Sequence, residues 1–294
     1  FVAEDSGDWH ARRLREAIED CGGRVCTTAL KRCAFDTRFP HGIDIPGLDG
    51  KLPDGVFVRA ISKGSLEEIT LRLGILHALD SCGVRVWNDA RVIERCVDKS
   101  TATFLFQKAG LPVPPTRVAE GRERALGYAE ARYPLVLKPL FGSQGNGVRR
   151  LDEPSDMPTE DEVRGVYYLQ RYLRAPDASE FSDWRVFVSA NRMVGAMVRQ
   201  GPNWVTNIHQ GGQPQAVELD TEARQLALAA AAAVGADYAG VDLIRDGQGR
   251  LMVLEINSNP AWKGLHSLCE RDIAATLAED FLSAVRAEIP AQGA

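Results

Sequence analysis

Apolar positions in the first third of the chain alternate between two patterns. In WHARRLREAIEDCGG (residues 9–23) they recur at helical spacing and stop on glycine, whereas GVFVRAI (55–61) is a continuous apolar run of strand length. SLEEITLRLGILHALDSCG (65–83) is helical again and ends on Gly83, and VRVWND (84–89) reads as another strand. Strands alternating with amphipathic helices predict a parallel sheet. The opening, FVAEDSGD, reads like a first strand joined part-way, so residues are expected to precede it. No GxGxxG follows it, which argues against a strict dinucleotide-binding fold.

The pattern then changes. Asp98 is placed to cap a helix with Ala102, Leu105, Phe106 and Ala109 on one face, stopped by Gly110 and Pro112. LPVPPT is a stiff connector, followed by a helix through Tyr128. PLVLKPLFGSQGNGVRRL reads as strand, glycine-rich loop and strand, and YYLQRYL as a strand ending near Leu173. From about Ala175, DWRVFVSANRMVGAMVRQ predicts two antiparallel strands around an Ala190–Asn191 turn, and TNIHQGGQ a loop. TEARQLALAAAAAVGAD is a helix capped by Asp220 or Thr221 and closed by Gly235. AGVDLIRDGQGRLMVLEIN is a hairpin, and the remainder is mostly helical. The expected division is 1–97, 98–174 and 175–294.

Composition narrows the class. A chain of 294 residues, 45% hydrophobic and 26% charged, is long enough for more than one core. A net charge of -5 argues against nucleic acid held by a dominant basic surface. No apolar run approaches the ~18 residues of a spanning helix and no secretory signal opens the chain, so neither membrane nor nucleic acid is an expected partner and a cytoplasmic location is expected. The six cysteines form no CxxC pair, and Cys21, Cys26, Cys33 and His41 match no usual zinc-ligand spacing. No HExxH or Ser/His/Asp grouping is visible.

The segment LMVLEINSNP (251–260) carries the first sign of chemistry, because a carboxylate ending a buried strand needs a positive partner. With the hairpin turn centred on Gly247–Gln248, Asp246 pairs with Gly249 and Asp242 stands opposite Val253. Opposite residues share a face, as do alternate residues along a strand, so Asp242, Glu255 and Asn257 project together, with Asp242 and Glu255 diagonal neighbours. Two carboxylates and an amide oxygen suit magnesium, which takes one or two carboxylates beside water and phosphate oxygens; manganese would fit the same set. The alternative is that each carboxylate simply pairs with an Arg or Lys, or that the register is shifted by one residue.

KPLFGSQGNG (138–147) adds a second sign: Lys138 ends an apolar strand, and Gly142, Gly145 and Gly147 bare their backbone N–H groups toward whatever lies below. Because the loop joins two strands, it would act as a hairpin flap, unlike a P-loop leading into a helix. An ordinary mobile hairpin is the alternative. Lys99, just inside the Asp98 cap, is a candidate second phosphate lysine or a solvated first-turn residue.

VDKSTATFLFQKAGLPVPPT, VLKPLFGSQGNGV, LQRYL, DWRVFV, TNIHQGG, GVDLI and LEINSNP occur in the order seen in ATP-grasp ligases. The chain resembles the branch related to the ribosomal-protein glutamate ligase, across about Ile61 to Gly264. Within it, the segment from Val56 to Glu94 is similar to ligases that glutamylate C1-carrier or deazaflavin cofactors such as tetrahydromethanopterin. The resemblance implies a three-lobed α/β fold in which an N-terminal parallel domain precedes two lobes clamping ATP. It implies Lys99 and Lys138 on the ATP phosphates, and Gly142, Ser143, Gln144, Gly145 and Gly147 in the flap. Gln170, Arg171, Tyr172 and Leu173 would form the adenine hinge, Arg171 departing from the Glu often found there, with Asp183 near the ribose. Arg185 and Arg199 would face the transferred phosphoryl group, Asp242, Glu255 and Asn257 would hold magnesium, and Trp262 and Lys263 would line the acceptor pocket. Homo-oligomers are common among such relatives.

The chemistry so implied is amide formation through an acyl phosphate, the protein supplying positioning and electrostatics. The expected substrates are an amino acid, with L-glutamate first in line, and a carboxylate on a tetrahydromethanopterin- or methanofuran-like C1 carrier or on a protein or peptide tail. Arg59, Lys63, Arg72, Arg199 and Lys263 are the basic residues available to a dicarboxylic amino acid or polyglutamyl tail, plain solvation being the alternative for each. Asn207, in the TNIHQGG loop, is grouped with these substrate residues. The competing readings are a ligase for a different amino acid and an ATP-binding regulatory or kinase-like protein on the same scaffold.

Overall fold

The computed structural model describes residues 2–3, 8–130, 132–142, 145–174, 181–208 and 211–288. The N-terminal lobe runs β1 (Val2–Ala3), α1 (Trp9–Asp20), β2 (Thr27–Thr28), β3 (Ala34–Phe35), β4 (Ile43–Asp44), β5 (Gly55–Val58), α2 (Leu66–Ser81) and β6 (Arg85–Trp87). Its sheet has the order β2-β1-β5-β6 with every pairing parallel, as the alternation predicts. Side chains alternate across it. Val56, Val58 and Val86 meet Ile75, Leu76 and Leu79 of α2, whereas Phe57 and Trp87 meet Leu14 and Ile18 of α1 on the other face. The helix starts follow local chemistry: Asp8 accepts the Ala11 N–H, and Ser65 with Glu68 forms a reciprocal capping box. The small β3–β4 hairpin was not legible in the sequence, since two-residue strands carry no periodicity.

Two helices, α3 (Ala90–Val97) and α4 (Lys99–Lys108), lead into the central lobe: β7 (Thr116–Glu120), α5 (Arg122–Ala129), β8 (Leu135–Lys138), β9 (Arg149–Leu151) and β10 (Val166–Arg171). Its sheet is antiparallel, in the order β7-β10-β8-β9. Leu135, Leu137, Tyr167 and Leu169 pack on Ala125 and Ala129 of α5. The alternate residues Val136, Lys138 and Gln170 therefore face the other way, into a cleft.

The C-terminal lobe comprises β11 (Phe181–Ser189), β12 (Arg192–Gly201), β13 (Gln213–Ala216), α6 (Thr221–Val234), β14 (Tyr238–Arg245), β15 (Leu251–Asn257), α7 (Lys263–His266) and α8 (Ile273–Glu288). The β11–β12 turn is Ala190–Asn191, both at positive φ (46° and 57°), as a two-residue type I′ hairpin requires. Asp220 caps α6, and Gly235 ends it at φ 82°. One face of the β13-β12-β11-β14-β15 sheet packs Val186, Val241, Leu243, Val253 and Ile256 against α6, α3 and α4. The opposite face is divided: Phe187, Met197 and Tyr238 join a core shared with α1, β5, β6 and α8, while Asp183, Arg199 and Asp242 face the central lobe. Packing thus crosses the expected chain divisions at 97 and 174, with α4 on the C-terminal sheet and α8 on the first lobe. Among the described residues no helix is long and apolar enough to cross a membrane.

Candidate active site

The two antiparallel sheets face each other across a cleft of about 820 Å³, measured with its open mouth. From the central lobe it is lined by Lys138, Gly142, Gly145, Gln170, Arg171, Tyr172 and Leu173. From the opposite wall come Asp183, Arg199, Asn207, Asp242 and Glu255, and Lys99 enters from the start of α4. These residues were expected at one site from separate motifs, and the fold brings them to one place. Ser143 and Gln144 lie outside the described residues.

The β14–β15 hairpin reaches the expected carboxylate pair by a different register. Arg245 pairs with Leu251, so the turn holds one residue more than the sequence reading allowed, and Leu243 rather than Asp242 opposes Val253. Leu254 is then bulged out, and Asp242 stands directly opposite Glu255 instead of diagonally. The two one-residue differences add to a shift of two residues, which restores the shared face. Without the bulge Glu255 would follow Val253 into the apolar core beneath α6; with it, the carboxylate turns to the cleft.

A chain of buried charges crosses the C-terminal wall. Arg199 Nε donates to Asp183 Oδ1 at 2.9 Å, its Nη2 reaches the other Asp183 oxygen, and Nη2 also lies 2.9 Å from Asp242 Oδ2. Arg185, one strand over, grips Asp242 with Nε and, at 2.7 Å, with Nη2. Burial alone would raise the Asp242 carboxyl, but Arg185 and Arg199 outweigh it and hold it below the usual carboxylate range. Burial likewise opposes the Arg199 charge, and Asp242 and Asp183 overcome it, pushing its pKa up.

The lysines feel the reverse balance. Burial lowers Lys138, against the pull of Glu255, and its Nζ sits 5.9 Å above the Tyr168 ring. Burial also lowers Lys99, whose Nζ donates to the Gly142 carbonyl at 2.7 Å. These are desolvated cations facing an open cleft, a costly arrangement unless an anion enters. Behind them, Tyr168 and Thr103 share a 2.8 Å hydrogen bond, and Gln170 donates to Thr116 at 3.0 Å. At the hinge end Tyr172 meets Trp204 edge-on, with ring centroids 5.9 Å apart, and Arg150 stacks on the outer face of Tyr172.

Several expected residues lie elsewhere. Arg185 touches the cleft only through Asp242, and Gly147 lies in the glycine-rich loop without lining the cleft. Asn257 shares the carboxylate face, opposite Gly240, but its Oδ1 accepts the Asn259 N–H at 2.9 Å and it does not line the cleft. Arg72 is buried and fully engaged with the Ser62 and Lys63 carbonyls and Glu68, so it braces the 62–63 loop; Lys63 itself is exposed on that loop. Arg59 donates to the Asn259 carbonyl and stacks 5.2 Å over the buried Trp262 ring, and the Lys263 N–H binds His10. Arg59, Trp262 and Lys263 therefore form a second grouping at the N-terminal lobe, next to Arg185 across Gly240 and Pro260. The sequence reading missed Thr206 and Leu254 among the lining residues; Thr206 stood inside the quoted TNIHQGG motif, where its burial had no sequence signal.

A family profile described as RimK-like ATP-grasp domain matches residues 96–281. The chain belongs to the RimK-like ATP-grasp family. As such it is an ATP-dependent ligase that forms carbon–nitrogen bonds, which sets aside the regulatory reading. Among relatives of this RimK-like chain, the tetrahydromethanopterin:alpha-L-glutamate ligase of Methanococcus maripaludis is 37% identical over 77% of this chain and 78% of its own length. The protein of the same name from Methanosarcina acetivorans is 31% identical over 89% of this chain and 91% of its own. The ATP-grasp ligase PsnB, solved with a minimal precursor and separately with that precursor, Mg and ADP, superposes with a TM-score of 0.74 over 96% of this chain and 98% of PsnB at 19% identity in the first of these complexes. That likeness establishes the three-lobed ATP-grasp fold.

Proposed function

We propose that this ligase joins L-glutamate to a carboxylate of a small C1-carrier cofactor of the tetrahydromethanopterin type, using ATP bound in the cleft. The observation that carries the ATP reading is the meeting of Lys99, Lys138 and Arg199 with Asp183, Asp242 and Glu255 in one cleft roofed by a glycine hairpin. The substrate pair is supported by the names of the relatives above 30% identity.

In this reading the hinge from Gln170 to Leu173 takes adenine, with Tyr172 and Trp204 as an aromatic wall, and the phosphates run toward Lys99 and Lys138. The γ-phosphoryl group moves to the acceptor carboxylate: the bond to the β-phosphate oxygen breaks, a carboxylate oxygen–phosphorus bond forms, and ADP departs. The glutamate amine then attacks the acyl carbon, the C–N bond forms, inorganic phosphate leaves and the amine gives up a proton. Lys99, Lys138 and Arg199 neutralise charge on the moving phosphoryl oxygens. Docking of the flap keeps water from the acyl phosphate.

A divalent cation fits the donors present. Glu255 and Asp242 are opposed hard-oxygen ligands, and among the described residues no third acidic, His or Cys side chain joins them, which leaves the remaining positions to phosphate and water as magnesium prefers. When bound, magnesium or manganese would supply further charge neutralisation between the phosphate groups.

The test is ADP release by the full chain with ATP, magnesium and L-glutamate against pterin-type acceptors, short acidic peptides and other amino acids, read with mass spectrometry. A pterin acceptor gaining glutamyl units establishes the proposal. Mass gained only by a peptide, or only with another amino acid, would replace its substrates while leaving the ligase chemistry intact.

A further inference from the structure

The loop between β12 and β13 is held from three directions. Val205 and Asn207 lie against Gly145 of the flap: a Cβ there, at φ 73°, would stand 2.8 Å from Val205 Cγ1 and 3.1 Å from Asn207 Oδ1. Behind the loop, a Cβ on Gly212 would overlap the Thr206 carbonyl oxygen, and the Gly212 N–H donates to the Asn207 carbonyl at 3.2 Å. Between Val205 and Asn207, the buried Thr206 turns to the third side, where its Oγ1 donates to Asp183 Oδ1 at 2.7 Å. That same oxygen receives Arg199 Nε.

We propose that Thr206 is a positioning residue that couples docking of the glycine flap to the orientation of Arg199. Gly145 abuts Val205 and Asn207, the residues on either side of Thr206, so the seated flap restrains the hydroxyl that Asp183 receives. Asp183 is thereby held by Thr206 as well as by Arg199. Arg199, suspended between Asp183 and Asp242, is kept from swinging wholly onto Asp242. With the flap away, Thr206 and Asp183 lose that backing and the guanidinium is less well placed. The arginine is therefore presented correctly when the cleft is covered, and phosphoryl transfer is favoured only when water is excluded.

This rests on the reading that ATP occupies the cleft. Thr206→Val removes the hydroxyl at nearly constant volume, Thr206→Ser keeps it, and Gly145→Ala inserts the Cβ that pushes Val205. In the full chain, with the acceptor found above, Thr206→Val is expected to lower kcat ~10–100-fold while the KM for ATP changes less than ~3-fold. Thr206→Ser should return kcat to within ~3-fold of wild type, and the losses from Gly145→Ala and Thr206→Val should not multiply in the double variant. A kcat for Thr206→Val within ~3-fold of wild type, a loss carried by KM, a serine variant no better than valine, or multiplying losses each overturn the coupling. If Thr206→Val does not fold, Thr206→Ala, which also removes the hydroxyl, is combined with Gly145→Ala and decides by the same multiplication criterion. Calorimetric titration of wild type with a non-hydrolysable ATP analogue separates the failures: no binding refutes the ATP reading itself, whereas binding with an indifferent Thr206→Val refutes the coupling alone.

Discussion

The C-terminal sheet offers one face to two neighbours, and the two boundaries are built in opposite ways. Toward the N-terminal lobe the boundary is a shared apolar core: Phe187 and Tyr238 of the sheet pack with Phe57, Trp87 and Phe281. It is fastened by the fully buried Asn88, whose amide donates to the Tyr238 and Ser258 carbonyls and accepts the Asp237 N–H. Toward the central lobe the boundary is the charged cleft, and the central lobe keeps its own core around Ala125, Leu137 and Leu169. Burying apolar surface welds two units, whereas a polar gap between two self-contained units leaves them free to open and close. The N-terminal and C-terminal lobes thus share one core, whereas the central lobe keeps a core of its own across the cleft.

The largest expected effect strikes the welded side. Phe281 is 4% exposed and meets the Phe57 and Trp87 rings edge-on at 5.5 and 6.2 Å. Phe281→Ala should cost ~3–5 kcal/mol, seen as a lower urea midpoint for one transition involving both lobes. Two separated transitions in the wild type would break the shared-core picture. On the cleft side Lys138→Met should cut ADP release ~10²–10³-fold, yet leave the urea midpoint unlowered, because it removes a desolvated charge. A midpoint shift as large as that of Phe281→Ala would mean that the two boundaries are not distinct.

The smallest effect is a pH slope at the welded side. Asp237, paired with Arg85 of β6, has its carboxyl pushed up to about 6 from 3.8 by burial, which Arg85 only partly offsets. A carboxylate raised in the folded state holds its proton more tightly there than in the unfolded chain. Its contribution is therefore fully present below 3.8 and is lost as pH rises through about 6. Between pH 4 and 6 the wild type should lose ~2–3 kcal/mol relative to Asp237→Asn, measured by urea unfolding at a series of pH values. Parallel profiles for the two proteins would count against it.

Much of this was legible from the chain. The helix starts at Asp98 and at Asp220 or Thr221 were local signals, and Lys138 and the glycine loop pointed to the cleft that they line. What escaped depended on long-range pairing. The Leu254 bulge goes with which residues of β15 reach the core under α6, and the residues of the turn itself do not encode it. Arg72 and Arg59 read as free cations, because a sequence does not show which backbone carbonyls will meet a guanidinium. The metal and arginine readings of Asp242 were posed as alternatives, whereas the same carboxylate is gripped by Arg185 and Arg199 and still faces Glu255 across the hairpin.

The helix α8 has a consequence for how the protein is made. It covers the face of the first sheet that carries Phe57 and Trp87, but it is synthesised after both other lobes. On the ribosome, Phe281 follows Trp87 by about 190 residues, a delay of roughly 10–40 s at ~5–20 residues per second. Through that interval the face of the nascent first lobe that carries Phe57 and Trp87 has α1 over it, and the part that Phe281 will cover stays open. A fragment cut after β6 keeps that part open for good, so excising this lobe with its core closed requires grafting α8 back onto it.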